Sequence, residues 1–127
     1  MAWVHLVLAL ALLQFIVFAL LVGYARGRYG IHAPATTGNV DFERYFRVQQ
    51  NTLEMLIVWV PSMLIAAGYW SPVWIAGIGA VYVIGRVLYA HGYIREAGKR
   101  STGFLLSFSS VIVLLLAALV GAVRALF

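Results

Sequence analysis

Four apolar stretches, each close to the length that crosses a bilayer, leave this chain few ways to fold. They run from Trp3 to Tyr24, from about Arg44 to Tyr69, from Pro72 to Tyr93 and from Phe104 to Val123. A helix needs about 20 apolar residues to cross the hydrocarbon core. Inside lipid the backbone must pair its own polar groups, which leaves only helices and closed barrels. The sequence shows no alternating strand pattern. Of its 127 residues, 64% are hydrophobic and 10% charged, more apolar surface than a soluble domain of this size covers with polar side chains. The expected fold is an all-α membrane protein, a four-transmembrane-helix bundle forming one domain over residues 1–127. Its helices are expected at about 3–25, 43–69, 72–95 and 102–125. The first stretch is too long for a signal-peptide core and lacks a basic start, so it is read as a mature helix.

The second stretch is anomalous. Its continuous apolar part, Met55 to Trp70, has 16 residues, so the span must include part of the polar face before it. That face holds Arg47, Asn51 and Glu54, spaced four and three apart and therefore on one side of a helix. A bilayer admits ionisable groups where they face a bundle interior or a cavity, and there they commonly serve function.

Helix three carries a matching stripe, Arg86, Tyr89 and Tyr93, at i, i+3 and i+7. Glu54 and Arg86 each lie roughly 15 Å from the same end of their helices at 1.5 Å per residue. Antiparallel neighbours would bring them together as an ion pair. By itself such a pair is equally well a structural lock, since breaking a buried pair is costly. The tyrosines read alone are a packing stripe. Arg26, ending helix one, and Arg100, before helix four, complete a polar ring at that level, although a lone arginine there is usually an interfacial anchor. Together the arginines, Asn51, Glu54 and the tyrosines suit a small anionic ligand that also carries an amine. Arginine forks take carboxylates, the glutamate takes an ammonium, and the flanking apolar grooves suit a hydrophobic or lipid second substrate.

Charge placement orients the bundle. Arg26, Arg28, Arg44 and Arg47 flank the first connection, and Arg95, Lys99 and Arg100 lie in the third. The positive-inside rule puts those connections in the cytoplasm and both termini across the membrane. No basic face lies on a soluble element, so nucleic acid is not an expected partner; membrane lipids are. The absence of cysteine excludes disulfides and thiolate chemistry by the chain itself. His5, His32 and His91 share no face, so no metal site is expected.

Local signals place the ends. Residues 27–40 read as the one long loop, Asp41 as the N-cap of helix two and Ser71-Pro72 as the start of helix three. Ser101 or Thr102 is the expected cap of helix four. Gln14 should make an interhelical hydrogen bond. Ala76, Gly77, Gly79, Ala80 and Gly85, and on helix four Ala117, Ala118, Gly121 and Ala122, should let helices approach closely.

The run from Phe42 to Glu54 (FERYFRVQQNTLE) resembles the signature of the MAPEG family, membrane-associated proteins in eicosanoid and glutathione metabolism. The segment from Gly85 to Tyr93 (GRVLYAHGY) resembles the family's third helix, and the Thr36-Thr37-Gly38 turn matches as well. The resemblance implies a homotrimer that binds glutathione between neighbouring subunits at the cytosolic end. Arg26, Arg47, Gln49, Asn51, Glu54, Tyr89 and Tyr93 match glutathione-contacting positions. Arg100 matches the arginine that holds the glutathione sulfur as a thiolate, a role in keeping with the way a nearby cation lowers a thiol's pKa. Gly27 and Met55 stand where the leukotriene C4 synthase branch has arginine and tyrosine. Ser101-Thr102-Gly103 lacks the usual opening of helix four in the prostaglandin E synthase branch. The expectation is a general membrane glutathione transferase, with peroxidase activity as a second use of the same thiolate. The alternatives are a non-catalytic lipid-binding family member and a four-helix proton-coupled exporter; such exporters carry their membrane glutamate in helix one, which here has none.

Overall fold

The computed structural model describes residues 1–127. It contains α1 (Ala2–Tyr29), α2 (Val40–Tyr69), α3 (Pro72–Arg95) and α4 (Ser101–Arg124), with a 3-10 turn (Ala97–Arg100) before α4. All four helices are long and apolar enough to cross a membrane. The connections between α1 and α2 and between α3 and α4 lie at the basic end, tied where Arg44 Nη1 donates to the Arg95 carbonyl at 3.0 Å.

Chemistry at the helix ends explains where the boundaries fall. α1 continues past the expected residue 25 to Tyr29, with Arg26 and Arg28 in its last turn, where cations are favoured by the helix dipole. Gly30 then adopts φ 68° and returns its N–H to the Arg26 carbonyl, a left-handed cap that suits glycine. The N-cap of α2 is Asn39, not Asp41: the Asn39 side chain accepts from the Phe42 N–H. Asp41 and Glu43 occupy the first turn instead. Neither Ser101 nor Thr102 caps α4, because the 3-10 turn runs into the helix with Arg100 already in helical conformation.

The main core is built from Val4, Val7, Leu8 and Ala11 of α1 packed against Trp59 and Met63 of α2, Ile75 and Tyr82 of α3 and Leu114 of α4. Trp59 and Tyr82 stack at 4.4 Å between centroids. Close approach centres on α3 and α4. A Cβ on Gly103 would fall 2.1 Å from the Tyr89 nitrogen, and one on Gly85 would fall 2.6 Å from the Ser107 nitrogen. Gly121 seats the Tyr69 ring in the same way, at 2.6 Å, whereas Gly77 faces open space. Gln14 Nε2 donates to the Val83 carbonyl at 2.9 Å, the expected link between α1 and α3. Leu20, Ile57 and Trp74 point outward at 68%, 67% and 76% exposure, the faces a bilayer would solvate.

Candidate functional site

At the basic end α2, α3 and α4 form an open-sided cavity of about 560 Å³. Arg47 and Asn51 line it from α2, Tyr89 and Tyr93 from α3, Arg100 from the 3-10 turn, and Ser101, Phe104 and Leu105 from the start of α4. The i, i+4 spacing on α2 and on α3 stacks each pair on one wall. The Tyr89 and Tyr93 rings lie 5.5 Å apart, and the Arg100 guanidinium sits 5.5 Å from the Tyr93 ring centre. The close passage of α3 against α4 at Gly85 and Gly103 brings Arg100 within reach of the tyrosines. Two guanidinium groups and no carboxylate line this space, so it favours an anion.

Directly behind the wall sits Arg86, fully buried at 0% exposure. Its Nη1 donates to Asn51 Oδ1 at 2.7 Å and to Thr52 Oγ1 at 3.2 Å, and its Nη2 donates to Ser107 Oγ at 2.7 Å. Its guanidinium lies 4.0 Å from the Tyr89 ring centre. Sequence reasoning placed Arg86 and Glu54 at matching depth. The depth is correct, but the partner is not: Arg86 pairs with Asn51, Thr52 and Ser107, and Glu54 makes no ion pair with it. The reason is angular. The interior side of α2 carries Val48, Thr52, Met55 and Trp59. At about 100° per residue Glu54 stands roughly 160° from Thr52, on the opposite flank.

Glu54 is therefore exposed and not buried as expected. It lines a second, smaller groove of about 250 Å³ between α2 and α4 with Met55, Val58, Phe108 and Val111. Asn51 and Phe104 border both spaces, so the polar cavity continues into an apolar one deeper along the helices.

Arg26 and Gln49 do not join this cavity within one chain. Arg26 holds the first connection, donating to the Ala35 carbonyl at 2.8 Å and lying 5.0 Å from the Phe42 ring centre. Gln49 is half-buried outside the cavity lining. Ser101, Phe104 and Leu105 were not anticipated as lining residues; the i, i+4 pair Phe104 and Phe108, stacked at 5.4 Å, was the available signal. Thr52 and Ser107 also escaped notice, because a hydroxyl in an apolar run commonly bonds its own helix.

Comparison with known proteins places the chain in a family. The sequence model of the MAPEG family matches residues 4–120. The chain belongs to the MAPEG family and is an integral, multi-pass membrane protein. It is 47% identical to an uncharacterized protein of Synechocystis, over 92% of this chain and 85% of that one. It is 42% identical to human microsomal glutathione S-transferase 2, over 82% of this chain and 71% of the human protein. It is also 33% identical to leukotriene C4 synthase of Cavia porcellus, over 82% and 69% of the two chains.

Proposed function

We propose that this chain is a membrane-embedded glutathione transferase that joins glutathione to hydrophobic electrophiles. The carrying observation is that Arg47, Asn51, Tyr93 and Arg100, far apart in sequence, line one anion-favouring cavity. Its volume lies within the range of small-molecule sites, roughly 300–1,000 Å³. The microsomal glutathione S-transferase relatives support the same ligand. Glutathione offers two carboxylates to arginines, an ammonium to Glu54 and a thiol to Arg100. With the thiol proton released to solvent, the Arg100 guanidinium stabilises the thiolate. The sulfur attacks the electrophilic carbon, a C–S bond forms and the leaving group departs as an anion. The apolar groove that shares Asn51 and Phe104 with the cavity suits an acceptor entering from the bilayer. With a lipid hydroperoxide, the same thiolate would take the terminal oxygen and release an alcohol, and a second glutathione would close the disulfide.

The functional unit in this reading is a homotrimer. Glu54 faces out of the protomer about 22 Å from the Tyr69 end of α2, counting 1.5 Å per residue, a depth within the hydrocarbon core. A carboxylate there calls for a protein neighbour and not lipid. Arg26 and Gln49 would reach a glutathione only from an adjacent copy. The connections on the basic side face the cytoplasm, as the distribution of arginine and lysine requires.

The test is purified protein in detergent, mixed with glutathione and a chloronitroaromatic acceptor. Thiolate absorbance in the ultraviolet on mixing, and conjugate formation with glutathione, are expected. No thiolate signal and no glutathione binding by calorimetry would overturn the reading in favour of a non-catalytic lipid-binding role.

A further inference from the structure

The expected ligand contact at Arg86 is closed off by burial, yet the residue is not explained as a structural fastener. Taking a guanidinium out of water without a carboxylate costs several kcal/mol, and apolar residues of similar volume commonly hold a core as well. The ion pairs in the chain, Arg44–Asp41 and Lys99–Glu96, lie elsewhere at the surface. Beyond its bonds to Thr52 and Ser107, Arg86 meets the back of the cavity: Asn51 by hydrogen bond and Tyr89 by its ring face. A guanidinium offers donors only, so the Asn51 amide must turn its oxygen inward, and its NH₂ is then the group left for the cavity. Ser107 is set in the same sense. Its hydroxyl donates to the Gly103 carbonyl at 2.9 Å, which leaves a lone pair for Arg86.

We propose that Arg86 is a positioning residue. It locks the Asn51 amide in the orientation that presents a donor to a ligand carboxylate or carbonyl, and it holds the Tyr89 ring in place as cavity wall. The proposal deepens the glutathione reading and rests on it for the identity of the ligand. The same locked amide makes the cavity select an acceptor at that point, so a ligand with a donor there is refused.

The chain contains two asparagines, Asn39 and Asn51. Labelling asparagine with ¹⁵N therefore gives two side-chain amides in a detergent NMR spectrum, and Asn39, the α2 cap, serves as an internal reference. In the unaltered protein Asn51 should give a resolved, dispersed pair of proton signals. Arg86→Met should broaden or shift that pair and leave Asn39 in place. It should also raise the glutathione KM about five- to tenfold, the effect of one misplaced hydrogen bond, with kcat at saturating glutathione retained. In an Asn51→Ala background the same substitution should raise KM clearly less, the remainder being what the Tyr89 wall contributes. Arg86→Lys keeps the charge and covers the case in which the methionine variant does not fold. One ammonium cannot serve Asn51 and Ser107 as a fork does, so a smaller change in the same direction is expected. Unchanged Asn51 signals in a folded variant, or the same rise in KM in both backgrounds with a matching fall in kcat, would overturn the proposal. If the unaltered protein binds no glutathione while Asn51 still responds to Arg86, the glutathione reading fails and the positioning role stands.

Discussion

Arg47, Asn51 and Glu54 share a stripe on α2, and the angle of that stripe decides what each can touch. Thr52 points into the bundle with 0% exposure, so at about 100° per residue the stripe stands roughly 100–160° away from the interior. Asn51 lies nearest the core edge and so meets Arg86 on one side and the cavity on the other. Glu54 lies furthest round and looks into the outer groove. Arg100 is the exposed counterpart of the buried arginine. Its guanidinium is held over Tyr93 and bonded only weakly to its own turn, at 3.4 Å to the Ala97 carbonyl, so it is free to meet an anion. Arg100→Ala should lower kcat with a chloronitroaromatic acceptor by roughly 10²-fold, the usual effect of removing one contact to a developing or held anion. The thiolate absorbance should disappear while the thermal transition in detergent stays in place. Unchanged turnover would remove Arg100 from the chemistry.

At the scale of elements, the α3–α4 contact sets the site. Backbone meets backbone at Gly85 and Gly103, with no room for a Cβ at either. That approach lets Arg86 of α3 reach Ser107 of α4 and brings Ser101 and Phe104 beside Tyr89. Gly103→Ala should push the helices apart and destabilise the protein by about 1–3 kcal/mol, as overpacking does, read as a lower melting temperature in detergent. Glutathione affinity should fall with it, because the α3 and α4 walls of the cavity separate; an unchanged melting temperature would show that the contact relaxes at no cost. Much of the element level was legible beforehand. The four helices followed from apolar run lengths, and the tight pass at Gly85 from a small-residue pattern. The ends were less legible. Asn39 outcompeted Asp41 as cap because it alone is extended at the point where the chain enters α2, and sequence spacing does not distinguish two cap formers two residues apart.

For the whole molecule, orientation and assembly are the open tests. Because the chain has no cysteine, single cysteines report topology without a background. A cysteine at Gly98, in the exposed turn before α4, should react with an impermeant maleimide only from the cytoplasmic side. One at Ala125 should react only from the opposite side; the reverse pattern would invert the orientation. Light scattering of the purified protein should return the mass of three chains. Run length and apolarity alone fix the class of fold, because lipid permits only backbone-satisfied helices once such runs are present. Charge placement likewise marked the end where the arginines and lysines gather. Which polar residues meet depends on how the helices pack. The azimuth of each helix fixes whether a side chain at a given depth faces the core, the cavity or the membrane. Linear spacing carries depth and relative face but not that absolute rotation. That rotation gave Arg86 to Asn51, Thr52 and Ser107 in place of Glu54, and turned Glu54 outward.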